Sequence, residues 1–295
     1  MSFSSQAKKE ICKDPISRRC CALAEACGVL LYCNTFTHTQ IRLVTESEDL
    51  AQRLPRLFYK AFRVDFDEIQ AGSKYAFSIT ARQKLEQILQ AVGYSPEDSI
   101  TLHVNYALLE KECCQAAFLR GAFLAGCSVT DPEKRYHLEL ATAHFKVSRE
   151  THSLLLDLGF APKQTMRNGS SILYFKQSDA IEDVLAYLGA PVAAMGVMEA
   201  KIEKDMKNKI NRIVNCDNAN TSKVVEAAQA QIAAIRALER QGRLQELPEK
   251  LRQTAHLRMD NPEANLQELG ELFSPPVSKS AVNHRLRKLV ELANN

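Results

Sequence analysis

The chain has 295 residues, 45% of them hydrophobic and 25% charged, which is the length of about two domains and the composition of a folded protein. Its net charge of +3 is too small to name a partner, and no apolar run approaches the roughly 20 residues of a membrane span, so a membrane-spanning protein is excluded. The nine cysteines are odd in number, several are adjacent, and no two Cys-x-x-Cys pairs occur, so they indicate neither a disulfide framework nor a zinc site and point to a reducing cytoplasm. The N-terminal stretch MSFSSQAKKEICKD lacks the apolar core of a secretory signal, so export is not expected.

In chain order, the first patterned segment is CALAEACGVLLYCN, Cys21 to Asn34, whose small residues Ala24 and Gly28 lie one helical turn apart. Gln40 to Thr45 alternates with the period of a strand, with Ile41, Leu43 and Thr45 on one face. Leu50, Leu54, Leu57, Phe58 and Phe62 then recur at helical spacing. Lys74 to Thr80 predicts a second strand with Tyr75, Phe77 and Ile79 inward, and Leu85, Ile88, Leu89 and Val92 form a helix that Gly93 ends.

The order then repeats. Cys114 to Pro132 carries Ala117, Gly121 and Ala125 four residues apart, and an offset of 93 aligns it with the first helix: Cys20 and Cys21 with Cys113 and Cys114, Ala24 with Ala117, Gly28 with Gly121, Leu31 with Leu124. A strand at Tyr136 to Leu140, a helix through Leu154, Leu155 and Leu158 ending at Gly159, a strand at Ile172 to Lys176 and a helix from Ile181 to Leu188 follow. A face of small side chains lets a second backbone approach closely, so the two copies (18–95 and 112–190) predict one pseudo-twofold αβαβα domain over 1–190, its paired helices under a shared sheet. Two unrelated α+β segments are the alternative.

Residues 1–200 hold 22 Lys and Arg against 23 Asp and Glu, and residues 201–295 hold 16 against 12, so the basic excess is C-terminal. Residues 191–220 alternate basic and apolar side chains and predict a partly helical connector able to lie along something negative. From 221 to 295 the chain predicts only helices: an alanine-rich one to about Gln241, a second from Pro248 to Met259, a short one within Ala264 to Phe273, and a last one from Ser278. Pro275 and Pro276 stop the third, Ser278 caps the fourth, and Leu266, Leu269, Leu272, Val282, Leu286 and Leu289 supply the contacts of a helix-turn-helix.

The last helix, SKSAVNHRLRKLVELA, sends Lys279, Asn283 and Arg287 outward, with Ser280, His284, Arg285 and Lys288 a little round, and no acid occurs from Leu272 to Val290. Cations for phosphates beside Asn, Arg and Lys side chains able to pair with base edges are what major-groove readout needs. Because the N-terminal part of such a helix faces the bases, Lys279, Ser280, Asn283 and Arg285 are the candidates for sequence reading. Arg287 and Lys288 are the candidates for phosphate contact. His284 is open between a phosphate contact and packing on the preceding helix. A surface helix whose positive charges complement its dipole is the plainer alternative.

The two small-residue helices resemble the LAGLIDADG motif of homing endonucleases, Leu119 to Cys127 in the second copy and Ala26 to Asn34 in the first. In active members the eighth motif position is a metal-binding acid; here the corresponding residues are Cys33 and Gly126. FLRGAFLAGCSVTDPEKRYHLEL, DMKNKINRIVNCDNAN and SKSAVNHRLRKL together resemble the WhiA family of Gram-positive bacterial regulators, which join a degenerate LAGLIDADG domain to a C-terminal helix-turn-helix. The resemblance implies a sequence-specific binder of double-stranded DNA, associated with the nucleoid and linked to sporulation, cell division and chromosome segregation. The expectation is a non-catalytic protein without cofactor, metal, membrane or small-molecule substrate, whose first domain takes a protein partner or supports DNA. A metal-dependent endonuclease and an interaction scaffold with vestigial DNA surfaces are the rival readings.

Overall fold

The computed structural model describes residues 2–94 and 101–294. The chain divides into two compact units, Met1–Lys204 and Asp205–Asn295.

In the first unit the paired helices are α2 (Arg19–Tyr32) and α5 (Glu112–Gly126), and they touch backbone to backbone. A Cβ on Gly28 would lie 2.1 Å from the Phe118 carbonyl oxygen, and one on Gly121 would lie 2.0 Å from that of Glu25. Only glycine fits at either crossing point, and the two contacts are counterparts in the repeat. Leu30, Leu31, Phe118 and Leu124 fill the core around them.

After α2 come β1 (Thr35–Phe36), β2 (Ile41–Thr45), α3 (Glu48–Phe62), β3 (Glu68–Ala71), β4 (Tyr75–Ile79) and α4 (Arg82–Val92). After α5 the same series recurs as β5 (Cys127–Val129), β6 (Leu138–Thr142), α6 (Phe145–Asp157), β7 (Lys163–Arg167), β8 (Ser170–Phe175) and α7 (Ser178–Leu188). Gly93 and Gly189 end α4 and α7 in the left-handed conformation that glycine adopts without strain.

The expectation of a shared sheet is overturned. Each copy has its own antiparallel four-stranded sheet, ordered β1-β2-β4-β3 and β5-β6-β8-β7. The central pairs, with Leu43 opposite Phe77 and Leu140 opposite Leu173, are flanked by edge strands of their own copy, so hydrogen bonding closes within each repeat. Of these edge strands, β3 and β7 are absent from the predicted order because they are exposed along their whole length and show no alternation of burial, and β1 and β5 because they span only two and three residues. The strand expected at Tyr136 to Leu140 lies two residues later, with Leu138, Leu140 and Thr142 buried.

A helix that periodicity did not signal, α1 (Phe3–Cys12), buries Ala7 and Ile11 against this core. Its Glu10 carboxylate accepts the Val192 and Ala193 N–H groups at 2.8 and 3.0 Å, so it caps the start of α8 (Pro191–Arg240). That helix runs without interruption through the stretch read as a connector. No helix of the described residues is long and apolar enough to cross a membrane.

One buried ion pair sits beside the helix pair. Arg53 of α3 donates to both carboxylate oxygens of Glu25 at 2.6 and 2.8 Å and also to the Cys12 and Asp14 carbonyls. Arg120 of α5 closes the network through Asp14 and donates to the Leu188 carbonyl at 3.2 Å. All three guanidinium nitrogens of Arg53 thereby reach an acceptor, which lowers the cost of burying a charged pair.

In the second unit, the end of α8 packs with α9 (Glu249–Asp260), α10 (Leu266–Glu271) and α11 (Lys279–Asn294) around Ile235, Leu238, Leu244, Ala255, Leu269, Phe273, Val282, Leu286 and Leu289.

Candidate nucleic-acid interface

The candidate interface is the α10–turn–α11 segment, and local chemistry holds each part of it. Asn265 caps α10, accepting the Gln267 and Glu268 N–H groups at 2.9 and 3.0 Å, while the Glu268 carboxylate accepts the Asn265 N–H at 2.8 Å. The turn folds back far enough for the Val277 N–H to donate to the Gly270 carbonyl at 2.9 Å. A Cβ on Gly270 would lie 2.4 Å from the Val277 oxygen, so this turn also depends on glycine. Ser278 caps α11 by accepting the Ala281 N–H at 3.3 Å. Val282, Leu286 and Leu289 form the buried stripe of α11.

That stripe fixes which side chains face away. Lys279, Ser280, His284, Arg287 and Lys288 are exposed; Asn283 and Arg285 are half-buried. His284 is exposed rather than part of the core. The Arg285 guanidinium lies over the Phe273 ring, 5.1 Å from its centroid, and is held against the turn. Lys288 has an acidic neighbour one turn on, Glu291, at 3.5 Å.

Sequence reasoning missed Arg258 of α9, which is almost fully buried and donates to the Ala264 carbonyl at 2.7 Å, tying α9 to the segment that leads into α10. Burial pulls its guanidinium below the usual arginine pKa. An arginine in an exposed-looking pattern carries no local sign that a carbonyl awaits it.

The other candidate site, the C-terminal ends of α2 and α5, is where an active LAGLIDADG nuclease places its acids. The residues here do not fit a hydrolytic divalent metal. The Cys33 sulfur lies 3.1 and 3.2 Å from the Leu30 and Thr35 carbonyl oxygens, the acceptors within reach of its one S–H, and burial pushes its pKa up to about 12. At Gly126 any Cβ would come within 2.8 Å of the Ala141 oxygen and the Tyr32 ring, which leaves no room for a carboxylate. Helix α1 adds a cation to this end: Lys8 lines the same hollow as Asn34, Glu46, Leu124 and Ala125, and burial pulls its pKa below the usual lysine value. The strand cations are also partly engaged, Lys74 with Glu46 at 2.8 Å and Arg167 with Glu139 at 2.9 Å.

Two family models match the chain. The WhiA LAGLIDADG-like domain covers residues 115–207 and the WhiA C-terminal HTH domain covers residues 210–293. A "Probable cell division protein WhiA" of Alkaliphilus oremlandii (strain OhILAs) is 37% identical, with 99% of this chain and 97% of the relative aligned. The chain belongs to the WhiA family. A second WhiA relative, from Ruminiclostridium cellulolyticum, is 38% identical over 99% of this chain and 97% of its own length. The fold agrees with that of the full-length WhiA protein of Thermatoga maritima, with a TM-score of 0.61, 23% identity, and 100% of this chain and 98% of that chain covered. The separate N-terminal LAGLIDADG domain of WhiA gives a TM-score of 0.52 at 20% identity, covering 64% of this chain and 90% of that one. Membership carries with it a LAGLIDADG-like α/β domain joined to a helical helix-turn-helix domain, and the role of a DNA-binding regulator in cell division.

Proposed function

We propose that this WhiA family member is a non-catalytic, sequence-specific DNA-binding regulator acting at the nucleoid in sporulation, cell division and chromosome segregation. The residues 221–295 read the site, the basic stretch 191–220 lies along the phosphate backbone, and the domain of residues 1–190 takes a protein partner. The observation that carries this reading is the exposed, acid-free outer face of α11 from Lys279 to Lys288, held in place by a capped short helix and a glycine-dependent turn.

Within that face the residues divide by role. Lys279, Ser280 and Asn283 lie in the first turns of α11 and address base edges, Arg285 orients the turn through Phe273 and reaches the groove from there, and His284, Arg287 and Lys288 hold phosphates. A base-reading pair contributes about 1 to 3 kcal/mol of discrimination, whereas a phosphate contact strengthens all sequences alike and accounts for about one unit of salt slope.

The test is to recover genomic fragments bound by the protein and compare its affinity for the enriched site with that for random duplex. Asn283→Ala should narrow that gap about tenfold. Lys288→Ala should weaken both affinities, flatten the salt dependence and leave their ratio nearly unchanged. Equal losses from the two variants on both duplexes would remove α11 from the groove. The nuclease reading is tested with duplex DNA and Mg²⁺, where metal-dependent nicking abolished by a point change at either helix end would replace this proposal.

A further inference from the structure

Two pairs of adjacent cysteines, 93 residues apart in sequence, meet at the N-terminal ends of α2 and α5, opposite the ends where LAGLIDADG nucleases hold metal. Cys20 and Cys21 are in the first turn of α2, Cys113 and Cys114 in the first turn of α5. The sulfurs of Cys20, Cys21 and Cys114 all lie within 4.8 Å of one another. Cys113 precedes Cys114 in the same turn of α5 and is the repeat counterpart of Cys20. The repeat exchanges Cys20 with Cys113 and Cys21 with Cys114, so each copy contributes one pair.

We propose that Cys20, Cys21, Cys113 and Cys114 form a tetrathiolate site for a soft divalent cation of the zinc class. A tetrahedral ion with metal–sulfur bonds of about 2.3 Å needs sulfur separations of about 3.8 Å, so the sulfurs of Cys20, Cys21 and Cys114, all within 4.8 Å of one another, need close by no more than about 1 Å, and the exposed Cys113 of the same turn is the fourth ligand, brought in by side-chain rotation. Four thiolates around a divalent ion leave a net charge of −2. That charge would lie between two helix N-termini, each worth about half a positive charge, with Arg18 and Lys111 immediately before them. Each metal–sulfur bond forms as the thiol gives its proton to solvent, so no oxidant or reductant is required. Cys20 and Cys113 are exposed, which gives the ion a way in, and Cys114 is buried, which shields one side. The adjacent-pair spacing lacks the two-residue step of a zinc knuckle, and for that reason the sequence pointed away from such a site. Each pair supplies half of it, and the close approach at Gly28 and Gly121 supplies the rest. The ion would clamp the starts of the two helices that the glycines join.

The full chain, purified under a thiol reductant and stripped with chelator, is titrated with Zn²⁺ and separately with Co²⁺. One equivalent of Zn²⁺ should bind in competition with a chromophoric chelator. Co²⁺ should give a thiolate-to-metal charge-transfer band in the near ultraviolet and the intense visible bands of a tetrahedral site. Cys20→Ser/Cys113→Ser changes two exposed residues and should lose both signals while keeping its circular dichroism, whereas Cys216→Ser should keep both signals. Wild-type protein that binds well under one equivalent, a cobalt spectrum without the thiolate band, or unchanged binding by the double variant would each overturn the site. The wild-type titration decides the matter even if the double variant does not fold.

Discussion

Replacing Gly121 with alanine adds one carbon at the closest approach found at any of the described glycines. That carbon would lie 2.0 Å from the Glu25 oxygen and 3.0 Å from the Val29 nitrogen, whereas ordinary contact begins near 3.4 Å, so α5 must move from α2 by about 1.4 Å. The opposing atoms are backbone and cannot rotate aside. A gap of 0.5 to 1 Å already forfeits a quarter to a half of the dispersion energy across an interface, and overpacking of this kind costs roughly 1 to 3 kcal/mol. With backbone on both sides the upper end applies, about 3 kcal/mol, equivalent to a drop of roughly 6 to 12 °C in Tm for a unit of this size. Gly28→Ala should cost a similar amount, because its Cβ meets the Phe118 oxygen at 2.1 Å. The double variant should cost less than the sum by about 1 kcal/mol or more, since the first substitution opens the space that the second needs. Gly196→Ala is the control: its Cβ meets only the Phe3 ring, at 3.4 Å, inside α8. There, better helix propensity should stabilise by up to about 1 kcal/mol. Differential scanning calorimetry of the four variants checks the set, and a Gly121→Ala transition within about 1 °C of wild type would refute the backbone contact.

Glu25→Ala leaves the buried Arg53 guanidinium without its carboxylate and should lower the stability of the first unit by about 3 to 5 kcal/mol, read as a shift of the urea midpoint. Asp67 is held at a pKa of about 2, chiefly by Lys84 and further by the Thr80 and Ala81 N–H groups at the start of α4. Because its folded value lies below the unfolded one, its contribution of about 1 to 2 kcal/mol is present above pH 4 and lost as the pH falls toward 2. Asp67→Asn should therefore be less stable than wild type at pH 7 and indistinguishable from it near pH 2, as followed by thermal melts. Gly270→Ala should push the turn off Val277, cost about 1 to 3 kcal/mol in the second unit and weaken specific DNA binding, as seen in a mobility-shift titration.

The small-residue helices, their duplication, the central strands and the helices of the C-terminal region could all be read from the sequence, because each is written in a local period. Small residues four apart, such as Ala117, Gly121 and Ala125, or leucines recurring ahead of a pair of prolines, carry their meaning within one or two turns of helix. The outer face of α11 could be read for the same reason: once Val282, Leu286 and Leu289 face inward, helical geometry alone places Ser280, His284, Arg287 and Lys288 outside.

What the sequence left undecided depends on partners distant along the chain. Strands β3 and β7 bury nothing of their own and exist because β4 and β8 offer them hydrogen bonds. Glu25 and Arg53 look like ordinary surface charges until α3 lies against α2. Helix α1 gains its place from a core assembled over 100 residues later, where Ser4 accepts the Val129 N–H. The adjacent cysteines are two separate pairs in the chain, and Cys20, Cys21 and Cys114 become one cluster only when the glycine crossing brings the starts of α2 and α5 together. A period fixes which face of a helix is buried, but a side chain's charge and chemistry act on whatever the fold sets within a few ångströms of it, and that neighbour is chosen by packing.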